Sequence, residues 1–196
     1  MRAVVVYESM FGNTHAIADA IGKGLAQGLE PVDNVLVVPV VEAGRERVGD
    51  ADLLVAGGPT HFRGMSRTRT RKWAVSIAQK PKNDLMLDRD SQGPGVREWL
   101  RSLGHGNTKS AAFDTRFKGP AVLRGRASRP ISRELRRHGF EVAAKPESFF
   151  ITLQNHLGPG EEARALEWGK RLAASVVSNG VTNADRPGRP PTSKEM

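Results

Sequence analysis

Cysteine is absent from the 196-residue chain. Its absence excludes disulfides, thiolate metal sites, iron–sulfur clusters and cysteine nucleophiles, and it fits a reducing compartment. No apolar run approaches the ~20 residues of a membrane-spanning helix, and the first residues lack the pattern of a secretion signal. We therefore expect a cytoplasmic protein with one domain over residues 1–178. The Pro-, Gly- and charge-rich residues 179–196 predict a disordered tail.

Acidic residues are scarce in two segments of this basic chain, whose formal net charge is +9. Residues 63–72 hold five cations and no acid, and residues 116–137 hold eight cations against Glu134 alone. These segments predict contact with an anionic ligand or partner. The histidines show no spacing typical of metal ligands, so no metal site is predicted.

Apolar segments alternate with helical patterns along the chain. The strands are expected at residues 3–7, 34–41, 52–57, 109–113 and 140–151, the last one broken at Lys145-Pro146. Helices are expected from His15 to about Leu29, over 67–80 with Trp73, Val75 and Ile77 as its apolar contacts, over 96–103, from the residues after Pro120 to His138, and over 158–177. Residues 81–95 predict a mobile surface loop. This alternation is typical of a doubly wound α/β sandwich with a parallel sheet.

Pro39 interrupts the second strand and indicates where that strand lies. Proline cannot donate to a strand ladder, so it favours an edge position. Of the common doubly wound topologies, the five-stranded order 2-1-3-4-5 places strand 2 at the edge. In that order, ligands bind at the carboxyl ends of strands 1 and 3, and the loop after strand 4 is the next neighbour.

The first strand runs into the sequence Glu8-Ser9-Met10-Phe11-Gly12-Asn13-Thr14. Hydroxyls flank a glycine that permits close backbone approach, and a helix follows with unpaired N–H groups and a positive dipole end. The turn contains neither the Gly-Lys-Ser/Thr ending of nucleotide hydrolases nor Gly-x-Gly-x-x-Gly. Taken alone, it fits a phosphate cradle or an ordinary helix cap equally well.

Together with Gly57-Gly58-Pro59-Thr60, this loop resembles the flavodoxin family over about residues 1–177. Ser9, Gly12 and Thr14 match the family's T/S-x-T-G-x-T phosphate loop, and Phe11 replaces a hydroxyl. The resemblance implies a flavodoxin-like three-layer fold, FMN as cofactor, and a role in electron transfer or as an oxidoreductase. It implies cofactor contacts from Ser9, Met10, Phe11, Gly12, Asn13, Thr14, Pro59, Thr60, His61, Phe62, Arg63, Gly64, Asp114, Thr115, Arg116, Phe117 and Gly119. No catalytic residue is predicted, because the flavin carries out the chemistry.

The loop after strand 4, which begins at Asp114, departs from the family pattern. Typical flavodoxins are acidic there and carry a tyrosine, whereas this chain has Asp114-Thr115-Arg116-Phe117 in basic surroundings. Cations near the ring would stabilise the anionic reduced flavin and raise its potential. We hypothesise that the protein is not a very low-potential carrier and that its redox partner or small acceptor is anionic. A deeply negative potential in a redox titration would contradict this.

Two alternatives remain open. The first keeps the fold but uses the deazaflavin F420 for hydride transfer, because its anionic polyglutamate tail suits the two cationic segments. The second is a cofactor-free module that binds anions or nucleic acid. Few aromatic residues accompany the cations, which makes nucleic acid an unlikely partner.

Overall fold

The computed structural model of the protein describes residues 1–29, 34–80, 83 and 85–184. Its central strand is β1 (Ala3–Tyr7), whose five residues are all buried. The strand pairs in parallel with β2 (Val35–Pro39) on one side and β3 (Leu53–His61) on the other. Because helices cover both faces of the sheet, β1 is a continuous apolar run rather than an alternating one.

The sheet confirms the predicted strand order 2-1-3-4-5. β3 pairs in parallel with β5 (Lys109–Phe117), which fills the fourth position. The fifth position is divided between β6 (Glu141–Val142) and β7 (Glu147–Ile151), which pair with the beginning and the end of β5. Pro39 lies in the edge strand, as expected. A short antiparallel strand, β4 (Gly64–Met65), pairs with the end of β3 and was not predicted.

Helices form the outer layers of a three-layer sandwich. Val5 faces α1 (Asn13–Gly28) and α7 (Glu161–Ala184), whereas Val4 and Val6 face the opposite layer. That layer contains α2 (Arg45–Val48), α4 (Val96–Ser102) and α6 (Ser128–Arg137). The remaining helices are α3 (Thr68–Ala78) and α5 (Ala121–Arg124). Among the described residues, no helix is long and apolar enough to cross a membrane.

Several boundaries differ from the predicted ones. Gly12 adopts a left-handed φ of 84°, so α1 begins at Asn13 instead of His15. Gly125, with φ of 74°, separates α5 from α6 where one helix was expected. β3 and β5 continue to His61 and Phe117, so part of the predicted loops is strand.

Two further expectations meet the structure only in part. Trp73 is 55% exposed rather than a core contact. α7 continues to Ala184, and the rest of the predicted tail lies outside the described residues. Residues 81, 82 and 84 of the predicted surface loop also lie outside them. Within that loop, the Asp88 N–H donates to the Met10 carbonyl at 2.9 Å, which fastens it to the loop after β1.

α1 and α7 cross in backbone contact at two glycines. A Cβ added to Gly24 would lie 2.0 Å from the Leu166 carbonyl oxygen, and one added to Gly169 would lie 2.3 Å from the Ile21 carbonyl oxygen. Glycine is therefore required at this crossing because the two backbones leave no space for a side chain.

We expect Gly24→Ala to lower the free energy of unfolding by about 1–3 kcal/mol, the usual cost of overpacking. Alanine favours a helix over glycine by about 1 kcal/mol. A net loss of stability would therefore come from the steric clash with α7. Urea unfolding measures the change. Exposed Lys23→Ala in the same helix is the control and should be nearly neutral. A Gly24→Ala protein as stable as the wild type would contradict the close crossing.

Candidate functional site

A cleft of about 740 Å³ opens at the carboxyl edge of the sheet. This volume is within the usual range for small-molecule and cofactor sites. The loop after β1, the β3–β4 hairpin, the end of β5 and the loop after β7 all contribute to it. Of the predicted site residues, those lining the cleft are Met10, Phe11, Asn13, Thr14, Pro59, Thr60, His61, Phe62, Thr115, Arg116 and Phe117.

The loop after β1 presents the start of α1 to this cleft. Gly12 is the N-cap residue, and within the described part of the chain no side chain caps the helix. The Ser9 hydroxyl accepts a hydrogen bond from the Gly12 N–H at 3.1 Å, which holds the turn. A Cβ at Gly12 would meet nothing within 4 Å, so its left-handed conformation, not crowding, requires glycine. The first N–H groups of the helix are thus available to an anion.

A pair of hydroxyls lies beside this helix start. The Oγ1 atoms of Thr14 in α1 and Thr115 in β5 are 2.7 Å apart, and both residues line the cleft. One hydroxyl donates to the other, which leaves one of the two O–H groups free to donate elsewhere. The pair therefore joins the first and third predicted loops and retains one donor.

Asn13 connects the same loop to a wall that the sequence did not reveal. Its side-chain Nδ2 donates to the backbone carbonyl of Asn155 at 2.9 Å. Asn155 has a positive φ of 62° in the loop after β7. This loop contributes Leu153, Gln154, Asn155 and His156 to the cleft.

The opposite wall is aromatic. The rings of Phe62 and Trp73 are 5.5 Å apart, and both residues line the cleft. Phe62 holds a φ of 56° at the tip of the β3–β4 hairpin. A positive φ is unusual for a bulky residue, and such strain is concentrated at functional sites. The β3–β4 hairpin therefore holds Phe62 in a strained backbone conformation, with its side chain at the cleft.

His61 lies next to this wall and is half-buried. Burial, with a smaller contribution from the Arg71 charge, lowers the pKa of His61 from 6.5 to about 4. The imidazole is therefore neutral at pH 7. It offers the cleft a neutral donor or acceptor rather than a cation.

Arg116 brings a positive charge into the cleft lining. The residue is 4% exposed, and its guanidinium donates to the Gly119 carbonyl at 2.9 Å. It also lies over the Phe150 ring, 4.9 Å from the centroid. Burial lowers the pKa of Arg116, but an arginine remains protonated at pH 7.

Six predicted site residues lie outside the lining: Ser9, Gly12, Arg63, Gly64, Asp114 and Gly119. Asp114 is fully buried, and its Oδ2 accepts from the Ser128 N–H at 2.8 Å and the Thr60 hydroxyl at 3.1 Å. Burial raises the pKa of Asp114, and these hydrogen bonds oppose part of the rise. This carboxyl group holds the start of α6 against β3.

Arg63 and Gly119 support the walls from outside. The Arg63 guanidinium donates to the Val122 carbonyl at 2.6 Å, which joins the β3–β4 hairpin to α5. Gly119, with φ of 142°, offers the carbonyl that fixes Arg116. Gly64 begins β4. All three position the residues that line the cleft.

A second buried carboxyl group lies behind the loop after β1. Glu8 accepts from the Ser66 hydroxyl at 2.7 Å and from the Val96 N–H at 2.8 Å. The Arg71 guanidinium donates to Ser66 at 3.1 Å and to Glu98 at 2.9 Å. Burial raises the pKa of Glu8. These contacts hold α3 and α4 against the end of β1.

Sequence reasoning missed three groups of lining residues. They lie in α3 and the segment after it, around α5, and at the end of β7 and in the loop that follows: Trp73, Ala74, Ile77, Asn83, Leu85, Leu123, Arg124, Ile151, Leu153, Gln154, Asn155 and His156. The last group had a signal, since a loop following a parallel strand must lie at the carboxyl edge. The α3 residues had none, because no local pattern predicts that Trp73 contacts Phe62 of the unpredicted hairpin beside the cleft.

The cleft lining contains no aspartate or glutamate among the residues that the structure describes. Its charged members are Arg116 and Arg124. Across the described ranges, no group of three or more His, Asp or Glu residues could hold a metal ion. The cleft is therefore suited to a ligand that combines an apolar body with negative charge.

Comparison with known proteins bears on the fold. The sequence matches no known family profile and no curated protein. Among solved structures, a flavodoxin from the domain Archaea aligns with a TM-score of 0.58 at 20% identity, covering 90% of this chain and 99% of that one. Oxidised flavodoxin 1 from Bacillus cereus gives 0.57 at 18% identity, covering 91% and 98%.

A flavodiiron core, Flv1 from Synechocystis, gives a TM-score of 0.56 at 17% identity, covering 91% of this chain and 36% of its own. Likeness at this level of identity is evidence of shared architecture. It agrees with the strand order, the three layers and the cleft at the carboxyl ends of β1, β3 and β5. The chain is therefore a protein of flavodoxin-like fold.

Proposed function

We propose that the protein binds FMN non-covalently in the cleft and functions in electron transfer or as an oxidoreductase. One observation carries the proposal: the start of α1, turned by a left-handed Gly12, opens into a cleft whose described lining has an aromatic wall and cations but no acid. FMN combines a flat apolar ring with a phosphate. The start of α1 suits the phosphate, and the aromatic wall suits the ring.

The described residues divide between the two ends of such a ligand. The first N–H groups of α1 and the spare hydroxyl proton of the Thr14–Thr115 pair would hold the phosphate. Phe62, Trp73 and Phe117 would contact the ring. The bound flavin would supply the transfer of electrons or hydride.

Arg116 and His61 would set the electrostatic environment. Arg116 is nearly inaccessible to water, so its charge acts on the cleft with little screening. His61 contributes no charge at pH 7, because burial lowers its pKa to about 4. A net positive environment favours a ligand that gains negative charge on reduction. This supports the expectation of a potential above that of a very low-potential carrier.

A second candidate keeps the same site but replaces FMN with a deazaflavin carrying an anionic tail. The observation that favours it is Arg124, which lines the cleft and is itself exposed at the mouth. A tail leaving the cleft would pass this cation. The visible spectrum separates the two cofactors. FMN gives two bands, at roughly 370 and 450 nm, and the deazaflavin gives one band between them.

We predict that the purified protein takes up FMN about tenfold or more tightly than riboflavin, because only FMN offers a phosphate to the α1 start. Gly12→Ala should reduce that preference, since a left-handed φ strains alanine and displaces the turn. Flavin fluorescence quenching measures both affinities.

Gly160→Ala is a matched control for this variant. Gly160 has a φ of 77°, and like Gly12 it has nothing within 4 Å of an added Cβ. It lies outside the cleft lining, so the same backbone strain should leave the preference for FMN intact. A protein that binds neither flavin, or binds riboflavin as tightly as FMN, would overturn the proposal.

Arg116→Gln should lower the midpoint potential of the reconstituted protein by on the order of 30 mV, which for two electrons is about 1.4 kcal/mol. The physical reason is the loss of a poorly screened cation near the developing negative charge. Potentiometric titration gives the value. Exposed Arg136→Gln, outside the cleft lining, is the control and should change the potential little. An unchanged or raised potential in Arg116→Gln would count against the proposed tuning.

His61 should make the protein less stable as the pH falls from about 6.5 towards 4. In that range the His61 imidazole is protonated in the unfolded chain but neutral in the folded protein, where its pKa is about 4. Acidification therefore favours the unfolded chain. His61→Gln should therefore lose less stability on acidification, measured by urea unfolding at pH 7 and pH 5. NMR titration of the imidazole is the direct check, and a midpoint near 6.5 would refute the prediction.

A further inference from the structure

The cleft mouth is bordered on one side by a surface that the proposed cofactor site does not explain. We call residues 62–72 and 117–126 the cationic rim. It contains the tip of the β3–β4 hairpin, the start of α3 and the loop with α5. Six cations of the rim are exposed, namely Arg63, Arg67, Arg69, Lys72, Lys118 and Arg124. The sequence has no aspartate or glutamate between residues 53 and 83 or between 115 and 133.

Large apolar side chains project from the same rim. Phe62 is 69% exposed, Val122 77% and Leu123 72%. They occupy two turns that are fastened to each other, because the Arg63 guanidinium donates to the Val122 carbonyl. A Cβ on Gly125 would lie 2.3 Å from the Arg63 Cα, so the two turns are also in close backbone contact. Phe62, Val122 and Leu123 therefore project from two turns that are held together as one unit.

A ligand in the cleft does not account for the exposure of Val122. It is among the most exposed apolar residues described, and it does not line the cleft. A molecule confined to the cleft would leave it in water. Exposed apolar side chains rimmed by polar or charged residues usually mark an interaction surface.

The chemistry of the rim narrows the occupant. A second copy of the same surface is disfavoured, because two acid-free cationic faces repel each other. Nucleic acid is disfavoured because aliphatic Val122 and Leu123, the most exposed apolar side chains of the rim, cannot stack on bases. A layer of anionic lipid headgroups meets both requirements: it attracts the cations, and it accepts projecting apolar side chains at the headgroup–acyl boundary without needing a shaped groove.

We propose that the cationic rim docks on the surface of an anionic lipid bilayer, with Val122 and Leu123 entering the headgroup layer. The mouth of the cleft then faces the bilayer surface. The docking is peripheral and reversible, since its electrostatic part weakens with salt. It depends on the rim alone, so it holds whether or not the cleft binds FMN.

The test is co-sedimentation with phosphatidylcholine vesicles that contain about one third phosphatidylglycerol, compared with pure phosphatidylcholine. We expect binding to the anionic vesicles only, and weaker binding at about 0.5 M salt. Trp73 provides an internal reporter, because it is 55% exposed while Trp99 and Trp168 are 6% and 4% exposed. Its emission should shift to shorter wavelength when the rim docks.

A matched pair of variants isolates the apolar tip. Val122→Asp should lower vesicle partitioning about tenfold, whereas Val177→Asp makes the same chemical change in α7, outside the rim, at a residue 46% exposed, and should bind nearly as well as the wild type. Both sites are exposed, and circular dichroism confirms folding.

Three outcomes would overturn the proposal. One is no preference for anionic vesicles. Another is an equal loss in both variants. The third is binding to heparin or to an acidic protein that matches vesicle binding and falls as much in Val122→Asp, which would indicate a purely electrostatic surface because the added carboxylate alone weakens binding to any polyanion. Since none of these measurements requires a flavin, failure here and failure to bind FMN remain distinguishable.

Discussion

The burial of β1 on both faces is the constraint on which the rest of the structure depends. Its five residues are buried and paired on both sides, so the end of the strand has a fixed position. The turn that follows inherits that position and delivers the start of α1 to the carboxyl edge. Because α1 is in turn locked against α7 through Gly24 and Gly169, the helix start is supported from behind. A cleft that depends on backbone N–H groups needs this rigidity, since a backbone donor cannot reorient as a side chain can.

Two buried carboxyl groups brace the cleft without entering it. Asp114 accepts from the first N–H of α6, and Glu8 from the first N–H of α4. A carboxyl group buried without partners would be costly, and a helix start offers both N–H donors and a favourable dipole. Both of these acids lie behind the walls, and the charged side chains in the described lining are Arg116 and Arg124.

The sequence predicted the architecture well because the strongest signals are local. Pro39 placed its strand at the edge through a missing N–H, and Gly12 placed the turn through its backbone freedom. The predicted roles of individual side chains were harder to foresee. Asp114 sits in a strand that continues beyond its predicted end, so its neighbours across the sheet decide its contacts. Trp73 carries the pattern of a core residue. In the structure it is exposed and contacts Phe62 of the unpredicted hairpin at the cleft.

By itself, the sequence determined the alternation of strands and helices, the edge position of β2, and a turn after β1 with hydroxyls around a glycine. It also determined that cations gather in two acid-free segments. Only the tertiary structure decided that these segments meet on one side of the cleft mouth, that Thr14 pairs with Thr115, and that Asn155 closes the opposite wall. These contacts join residues far apart in the chain, and they form only when α1, the β3–β4 hairpin and the loops pack together at the carboxyl edge of the sheet. The sequence thus predicted which chemical groups the turn at Gly12 contains. The packing around the sheet decided which other residues lie beside that turn.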